Sequence, residues 1–423
     1  MRQSSDWLLD GRGAKRRRQR KRRRALMVVG VILACLLVAG GAYFGVKYGP
    51  RRERAPGTTA SARKSETLSA DAGAEEDKPI VVVPYRRVKG LYVTAYSAGL
   101  ADRMAHYIEI CDTTEINALV IDVKDDRGQI TFLNSIEGAA KASFNIIPDI
   151  EKTMALLKEH DVYTIARLVC FKDPIWSKLE PGQAIHNGRG GVWKDGGGVA
   201  WLDPYNPGAW EYIAAVAKEA ARLGFDEIQL DYVRFPTDGN TKDIAFGAAA
   251  EGKTRAQAIG EFLQYIREAL LDTDVKLSAD IFGITAINSG DFENIGQDLA
   301  TLLRGTDTIC PMVYPSHFAN KRQNGVGQTI SGALYTAPDL EPYEVVFNTL
   351  LLIKGRLPEE GRHAGLRPYL QDFTASYLGN GYYQTYTAEQ VRAQIQAVYD
   401  AGFEEWILWN AAAVYSEGAL EGE

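Results

Sequence analysis

Short runs of apolar, β-branched residues alternate with stretches of helical periodicity from about residue 80 to the end of the chain. Strands are predicted over eight segments: 89–96, 118–124, 163–171, 227–233, 276–282, 308–314, 366–371 and 406–410. Helices, in which apolar residues recur every three to four positions, are predicted between them at 100–110, 148–160, 207–223, 255–271, 292–303, 342–354 and 387–401. This alternation predicts an α/β fold, a closed (β/α)8 TIM barrel.

An open, doubly wound parallel sheet is the alternative architecture. Such a sheet usually carries a glycine-rich phosphate-binding turn after its first strand. Residues 95–99 read Ala-Tyr-Ser-Ala-Gly at that position, which is not such a turn. The pattern therefore favours the barrel.

The first residues differ from the rest in pattern. Residues 25–46 contain no charged side chain, which is enough apolar chain to cross a bilayer core of about 30 Å as one transmembrane helix. Residues 1–24 are dense in Arg and Lys, and positively charged flanks stay in the cytoplasm, so the C-terminal part is predicted outside the cell membrane. A retained signal-anchor is favoured. Cleavage near residues 39–42 and a lipoprotein at Cys35 are alternatives that export the same domain.

Residues 47–79 are rich in Arg, Ala, Ser, Thr and Glu and poor in large apolar side chains, which predicts a flexible, disordered linker. The barrel domain is then 80–423. The first 54 residues hold 15 basic and 3 acidic side chains (net +12), and the whole chain holds 48 and 54 (net −6), so the remainder carries −18. An acidic exported domain argues against nucleic acid as a partner, and the basic run beside the apolar span is better explained as a topology signal.

The sequence lacks the residue patterns that several common types of site require. Three cysteines follow the apolar span, Cys111, Cys170 and Cys310, and their spacing predicts buried free thiols, with one Cys170–Cys310 bridge as the alternative. The five histidines show no HExxH or HxH pairing, and no GxSxG elbow occurs. We therefore predict neither a metal site nor a cofactor.

Side-chain alternation along the strands assigns residues to the inside of the barrel. Apolar residues at every second position face the helices, and the positions between them face inward. The inward polar residues are Asp122, Lys124, Arg167, Gln229, Asp231 and Asp280, followed by Tyr314 and Gln371. Ionisable groups that merely fill the inside of a barrel would cost stability. This set therefore predicts a functional site at the carboxyl ends of the strands. The alternative is that Asp231 only caps its strand.

Two carboxylates on neighbouring strands are what glycosidic bond cleavage requires. Asp231 is the predicted ionised partner, because Arg234 and Lys124 are available to favour its charge. Asp280 lies in an apolar run and is the predicted proton donor, while Asp122 is a third claimant that alternation does not rank below it. Retaining and inverting outcomes both stay open.

Long insertions follow strands three and four. The first is rich in Gly and Trp, and Trp193 on this glycine-hinged loop is a candidate for stacking on a sugar ring. The alternative is a loop pinned by buried tryptophans. His317, after strand six, is a further candidate contact for the substrate.

Five stretches together resemble the glycoside hydrolase domain of bacterial envelope proteins, once a domain of unknown function. They are Lys-Gly-Leu-Tyr-Val-Thr at 89–94, Phe-Asp-Glu-Ile-Gln-Leu-Asp-Tyr-Val-Arg-Phe-Pro at 225–236, Ser-Ala-Asp-Ile-Phe-Gly at 278–283, Pro-Met-Val-Tyr-Pro-Ser-His-Phe at 311–318 and Arg-Pro-Tyr-Leu-Gln-Asp-Phe at 367–373. The likeness spans about residues 88–413. The strand-four stretch also resembles the Gly-Phe-Arg-Leu-Asp strand of the α-amylase superfamily.

The resemblance implies a TIM barrel that acts on carbohydrate, with Asp231 at the nucleophile position. One departure concerns the residue two places before this Asp, which is Arg in the amylase-like strand and Gln229 here. Arg234 is the predicted substitute.

We therefore predict a membrane-anchored, extracytoplasmic glycoside hydrolase that acts on a cell-envelope or extracellular polysaccharide or oligosaccharide. The alternatives are a non-catalytic carbohydrate-binding or scaffold barrel, and a metal-independent lyase or isomerase that uses Lys124 as its base.

Overall fold

The computed structural model describes residues 86–287, 292–358 and 364–422. Within these ranges the main sheet has strands β1 Lys89–Val93, β2 Ala118–Lys124, β3 Tyr163–Val169, β4 Glu227–Asp231, β5 Lys276–Phe282, β6 Thr308–Met312, β7 in two pieces at Gly365–Leu366 and Tyr369–Gln371, and β8 Trp406–Trp409. The principal helices are α1 Ala101–Thr113, α2 Ile150–Glu159, α3 Pro207–Arg222, α4 Arg255–Ala269, α5 Leu299–Gly305, α6 Pro342–Lys354 and α7 Ala388–Asp400.

The sheet closes on itself. Neighbouring strands run parallel from β1 to β8, and β8 pairs with β1 through Trp406 and Lys89. The pairing of Ser278 with Thr308 joins β5 to β6, so no strand edge is left open. The predicted eight-stranded (β/α)8 barrel is confirmed, and the open sheet is wrong.

The predicted basic tail (1–24), the signal-anchor (25–46) and the 47–79 linker all lie outside the described residues, which begin at residue 86. No helix within the described ranges has the length and apolar character needed to span a bilayer. The described chain enters the barrel at β1, on the face formed by the amino ends of the strands.

The outward faces of the strands and the inward faces of the helices form one large apolar core. Leu119 and Ile121 of β2, for example, are fully buried in it. Each such side chain contributes about 1.5–3 kcal/mol on burial. Because the helices cover the outside of the barrel, the polar residues of the strands are confined to its interior and its two ends.

A buried ion triad fills the interior at the amino ends of the strands. Arg367 donates from Nη1 to Glu227 Oε1 at 2.8 Å and from Nε to Glu405 Oε2 at 2.8 Å. Ser278 and Tyr163 donate further hydrogen bonds to the same Glu227 carboxylate. None of the three charged residues was among the predicted site residues, and all three lie far from the strand ends that form the candidate site.

The predicted inward orientation of Lys124 is wrong. The register of β2 against β3 shifts between Asp122 and Lys124, and this irregularity breaks the alternation of the strand. The fully buried Lys124 ammonium instead pairs with Asp173 at 2.9 Å and lies 5.7 Å from the ring centroid of Tyr212, which belongs to the helix layer. Lys124 is therefore not available as a base inside the barrel.

Removal of one member of the ion triad should be far more costly than removal of an exposed pair. Arg367→Met leaves two buried carboxylates without their cation, and we expect a loss of about 3–5 kcal/mol in the free energy of unfolding. Arg86→Ala breaks the pair with Asp161, whose side chain is 92% exposed, and should cost less than about 1 kcal/mol. Urea unfolding of both variants measures the difference, and equal losses would contradict the structural role given to the triad.

Candidate active site

Asp231 is the last residue of β4, and the chain turns sharply after it. Tyr232 has φ of 51°, in the left-handed region that large side chains rarely adopt. At the same turn, the Tyr232 N–H donates to Asp231 Oδ1 at 2.6 Å. Backbone strain of this kind costs of order 1–3 kcal/mol and is typical of functional sites.

Arg167 on β3 joins two of the predicted acids. Its Nε donates to Asp231 Oδ2 at 3.0 Å, and Nη2 donates to the same oxygen. Its Nη1 donates to Asp122 Oδ1 at 2.6 Å, and the Tyr92 hydroxyl donates to Asp122 Oδ2 at 2.6 Å. Strands β1 to β4 thus each contribute one side chain to a continuous hydrogen-bonded chain that ends at Asp231.

The electrostatics of this chain favour the charged form of Arg167. Burial lowers the pKa of Arg167, but the Asp231 and Asp122 carboxylates outweigh burial and raise that pKa well above its usual value. Burial raises the pKa of Asp122, and Arg167 and Tyr92 oppose this effect. Burial and the Asp122 charge raise the pKa of Tyr92, so its hydroxyl stays a donor.

Asp280 on β5 has the opposite environment. It is 3% exposed, and its Oδ1 has no hydrogen-bond partner within the described chain. Burial, followed by the charge of Asp231, raises the pKa of Asp280 well above its usual value, with Arg167 opposing. The Asp280 carboxyl is therefore held as a neutral acid beside a charged carboxylate.

The cation beside Asp231 is Arg167, and the prediction of Arg234 in this role is wrong. Arg234 donates from Nη1 to the Phe235 carbonyl at 2.9 Å. Its guanidinium lies 5.0 Å from the ring centroid of Trp201 and 4.7 Å from that of Phe282. Three aromatic rings, including that of Tyr232, hold Arg234 in this position, so it stabilises the turn after β4.

Gln229 faces the interior as predicted but lies one level below the acids. It is fully buried, accepts a hydrogen bond from the Tyr369 hydroxyl at 2.5 Å, and directs Nε2 to Cys310 Sγ at 3.3 Å. Cys310 is a buried free thiol, as are Cys170 and Cys111, so the alternative disulfide bridge is wrong. Gln229 therefore supports the floor of the site, where a ligand has no access.

Two predicted substrate contacts are used for packing instead. Trp193 is 3% exposed and donates to the Asn240 carbonyl at 3.0 Å, so it pins the insertion loop. Gln371 is fully buried, donates to Asp339 Oδ1 at 2.9 Å and accepts from the Ser316 N–H at 3.1 Å. In both cases internal partners occupy the polar groups, and burial excludes a ligand.

Tyr314 and His317 lie at the mouth of the barrel in an aromatic cluster that the sequence prediction missed. Tyr314 is buried beside the exposed His317 ring, with centroids 4.8 Å apart. Trp409 of β8 lies 5.6 Å from Tyr314 and stacks on Tyr92 at 6.1 Å, and Phe373 completes the cluster. The sequence did contain a feature that could have revealed this cluster, because side-chain alternation along β1 and β8 places Tyr92 and Trp409 inside the barrel.

A separate cavity lies on the opposite face of the barrel. It has a volume of about 480 Å³ and is lined by Arg87, Lys89, Tyr399, Gly402, Phe403 and Glu404. These residues are at the amino ends of β1 and β8, whereas the three acids are at the carboxyl ends of β2, β4 and β5. In barrels of this fold, active sites are built at the carboxyl ends, so we assign no catalytic role to this cavity.

Comparison with known proteins identifies one family. The model of a family described as "putative glycosyl hydrolase domain" matches residues 90–415, a range that contains every residue of the site. The comparison with curated proteins finds no match.

Solved structures include two informative relatives. A hypothetical protein from Ruminiclostridium thermocellum ATCC 27405 is 40% identical, covers 45% of this chain and 96% of its own, and has a TM-score of 0.42. The PgaB (BpsB) glycoside hydrolase domain from Bordetella bronchiseptica is 12% identical, covers 78% of this chain and 95% of its own, and has a TM-score of 0.56. At 12% identity, the second likeness concerns the fold alone.

The neutral Asp280 should make stability fall with rising pH. Its pKa is raised in the folded chain, so the folded state retains a proton that the unfolded chain loses above the usual Asp pKa. The Asp280→Asn variant has no ionisable group at this position, so its free energy of unfolding does not fall with pH for this reason. We expect its free energy of unfolding to increase relative to the wild type as the pH rises above the usual Asp pKa, at about 1.4 kcal/mol per pH unit while the folded carboxyl stays protonated.

Urea unfolding at each pH measures this difference. The exposed Asp272→Asn is the matched control, and its stability should follow the wild type at every pH. A difference between Asp280→Asn and the wild type that does not change with pH would show that Asp280 is ionised in the folded chain.

Proposed function

The chain belongs to this glycosyl hydrolase domain family, and on that premise we propose that it hydrolyses glycosidic bonds in a cell-envelope or extracellular polysaccharide through Asp231 and Asp280. The observation that carries the proposal is the contrast between these two acids. Asp231 is held by Arg167 and a backbone N–H, and Asp280 is buried with an unpartnered oxygen. A buried carboxyl with a raised pKa beside a carboxyl that is bound by a cation is the arrangement expected of an acid and a nucleophile.

Each carboxyl then has one role in each step. Asp231 attacks the anomeric carbon while Asp280 transfers its proton to the departing glycosidic oxygen, which leaves a glycosyl ester on Asp231. The Asp280 carboxylate next removes a proton from water, and the resulting oxygen displaces Asp231 from the sugar. Arg167 and the Tyr232 N–H fix the orientation of Asp231 throughout, so little reorganisation accompanies reaction.

We place this activity outside the cytoplasm, on a domain tethered by the apolar segment at 25–46. The basic residues before that segment and the acidic composition after it support this topology. The described chain enters at the amino end of β1, opposite the three acids. A tether that joins there is attached on the side of the barrel opposite the candidate site.

One observation favours a second candidate function, a non-catalytic carbohydrate-binding barrel. Arg167 binds Asp122 and Asp231 at once, and Asp231 is 7% exposed. In such a scaffold the ion pairs would serve only to neutralise buried charge. Both candidate functions include glycan binding, but only the hydrolase cleaves the bound glycan.

Hydrolysis should proceed with retention of anomeric configuration. Leu230 pairs with Ala279 in register, so Asp231 and Asp280 follow as neighbours on strands about 4.8 Å apart. Retaining enzymes hold their two carboxyls about 5–5.5 Å apart, and inverting enzymes about 6.5–9.5 Å. Proton NMR of the first product formed measures the configuration, and an inverted product would exclude Asp231 as a nucleophile.

Loss of either acid should abolish turnover of a glycan that the wild type cleaves. We expect Asp280→Asn to reduce kcat about 10²–10⁴-fold, because the leaving oxygen loses its proton donor, and Asp231→Asn to reduce it at least as much. The screen uses the full chain with isolated envelope polysaccharides and detects new reducing ends. Asp272→Asn is the control and should retain wild-type activity. Full activity of Asp231→Asn would refute the proposal, and binding without turnover by the wild type would select the scaffold.

A further inference from the structure

Trp409 differs from the other tryptophans of the described chain. Five of them, at positions 176, 193, 201, 210 and 406, are at most 7% exposed. Trp409 alone among those described is partly exposed, and its indole N–H has no acceptor in the described ranges. A large ring that could have been buried is therefore presented to solvent at the end of β8.

The rings around Trp409 form a rigid wall. Trp409 stacks on Tyr92 at an interplanar angle of 24° and meets Phe373 edge-on at 5.3 Å. Tyr314 lies against both Trp409 and Phe373, and His317 extends the wall outward. Because each ring fixes its neighbours, the exposed faces of Trp409 and Phe373 lose little conformational entropy when a ligand covers them.

The wall adjoins the acids. Tyr92 lies under Trp409 and donates to Asp122, and the charges of Asp280 and Asp231 both contribute to the raised pKa of Tyr314 after burial, the larger cause. One side chain, Tyr92, therefore separates Trp409 from the Asp122 carboxyl. The wall occupies the β7, β8 and β1 side of the mouth, and Asp231 and Asp280 occupy the β4 and β5 side.

We propose that Trp409 and Phe373 form a subsite that stacks on the apolar face of a pyranose ring in a polysaccharide chain. The C–H face of a pyranose matches the flat aromatic surface, and its hydroxyls match the free indole N–H. This inference rests on the proposed function and adds to it the place and the manner in which the glycan is held. The insertion loop with Trp193 does not take this role, because its tryptophans are buried.

Apolar exposure across the molecule supports an extended ligand. Eleven large apolar side chains are exposed in the described residues, and eight of them, including Tyr96, Leu133 and Val414, lie in segments that follow the carboxyl ends of strands. Two of the remaining three, Leu156 and Leu351, lie on helices. The face that contains Trp409 is thus the one suited to contact several sugar units of one chain.

Glycan binding to an uncleaving variant tests the subsite. The full chain with Asp231→Asn is titrated with two probes, the β-1,4-linked hexasaccharides of glucose and of N-acetylglucosamine, by isothermal calorimetry. We expect Trp409→Ala in this background to raise Kd about tenfold or more, and Trp409→Phe to retain most of the affinity. Phe403→Ala is the matched control, because Phe403 is a partly exposed ring that lines the cavity on the opposite face.

The outcomes separate this inference from the proposed function. Unchanged Kd in Trp409→Ala, a loss of affinity in Phe403→Ala instead, or no binding of either probe by the parent would each overturn the subsite. Loss of binding in Trp409→Ala together with a wild type that hydrolyses no glycan would support the subsite and refute the hydrolase. If the wild type hydrolyses a glycan, and hydrolysis is lost in Asp231→Asn but kept in Trp409→Ala, the result would support the hydrolase and refute the subsite.

Discussion

The carboxyl end of this barrel depends on the hydrogen bonds of one guanidinium. Arg167 contacts Asp122 and Asp231 simultaneously, so a single cation is shared by two of the three buried acids. The third, Asp280, has no cation in ion-pair contact within the described chain and is stable there only as a neutral acid, because an unpaired buried charge is too costly. One arginine for three carboxyls therefore leaves Asp280 as the acid outside the ion pairs of Arg167, which is the contrast on which the proposed cleavage rests.

The barrel keeps this site apart from its own structural charges. Arg367 forms ion pairs with Glu227 and Glu405 at the amino ends. Between the two groups lies a neutral layer in which Tyr369 donates to Gln229. Hydrogen-bonded but uncharged side chains thus separate the charged group at the amino ends of the strands from the charged group at the carboxyl ends. The scaffold can remain stable while the acids at the carboxyl end keep an arrangement that is unfavourable for folding.

Most of the fold could be predicted from the sequence, because strand and helix periodicities are local and each predicted strand recurs in the barrel. Alternation also identified Asp122, Arg167, Asp231 and Asp280 as inward residues. It failed at Lys124, because a register irregularity within β2 leaves no trace in the apolar pattern. The contacts of Trp193 and Gln371 depend on loops whose paths are set by tertiary packing, which a single sequence does not reveal.

The position of Arg167 also explains why Gln229 occurs where the amylase-like strand has arginine. Arg167 and Gln229 are register partners on adjacent strands, so their side chains start at the same height inside the barrel. A guanidinium that starts from either position can reach a carboxylate two residues further along β4. In this chain the cation that contacts Asp231 starts from β3, and the position two residues before Asp231 is occupied by an amide that hydrogen-bonds Tyr369. Matching a motif along one strand misses this exchange, because the equivalence lies across the sheet.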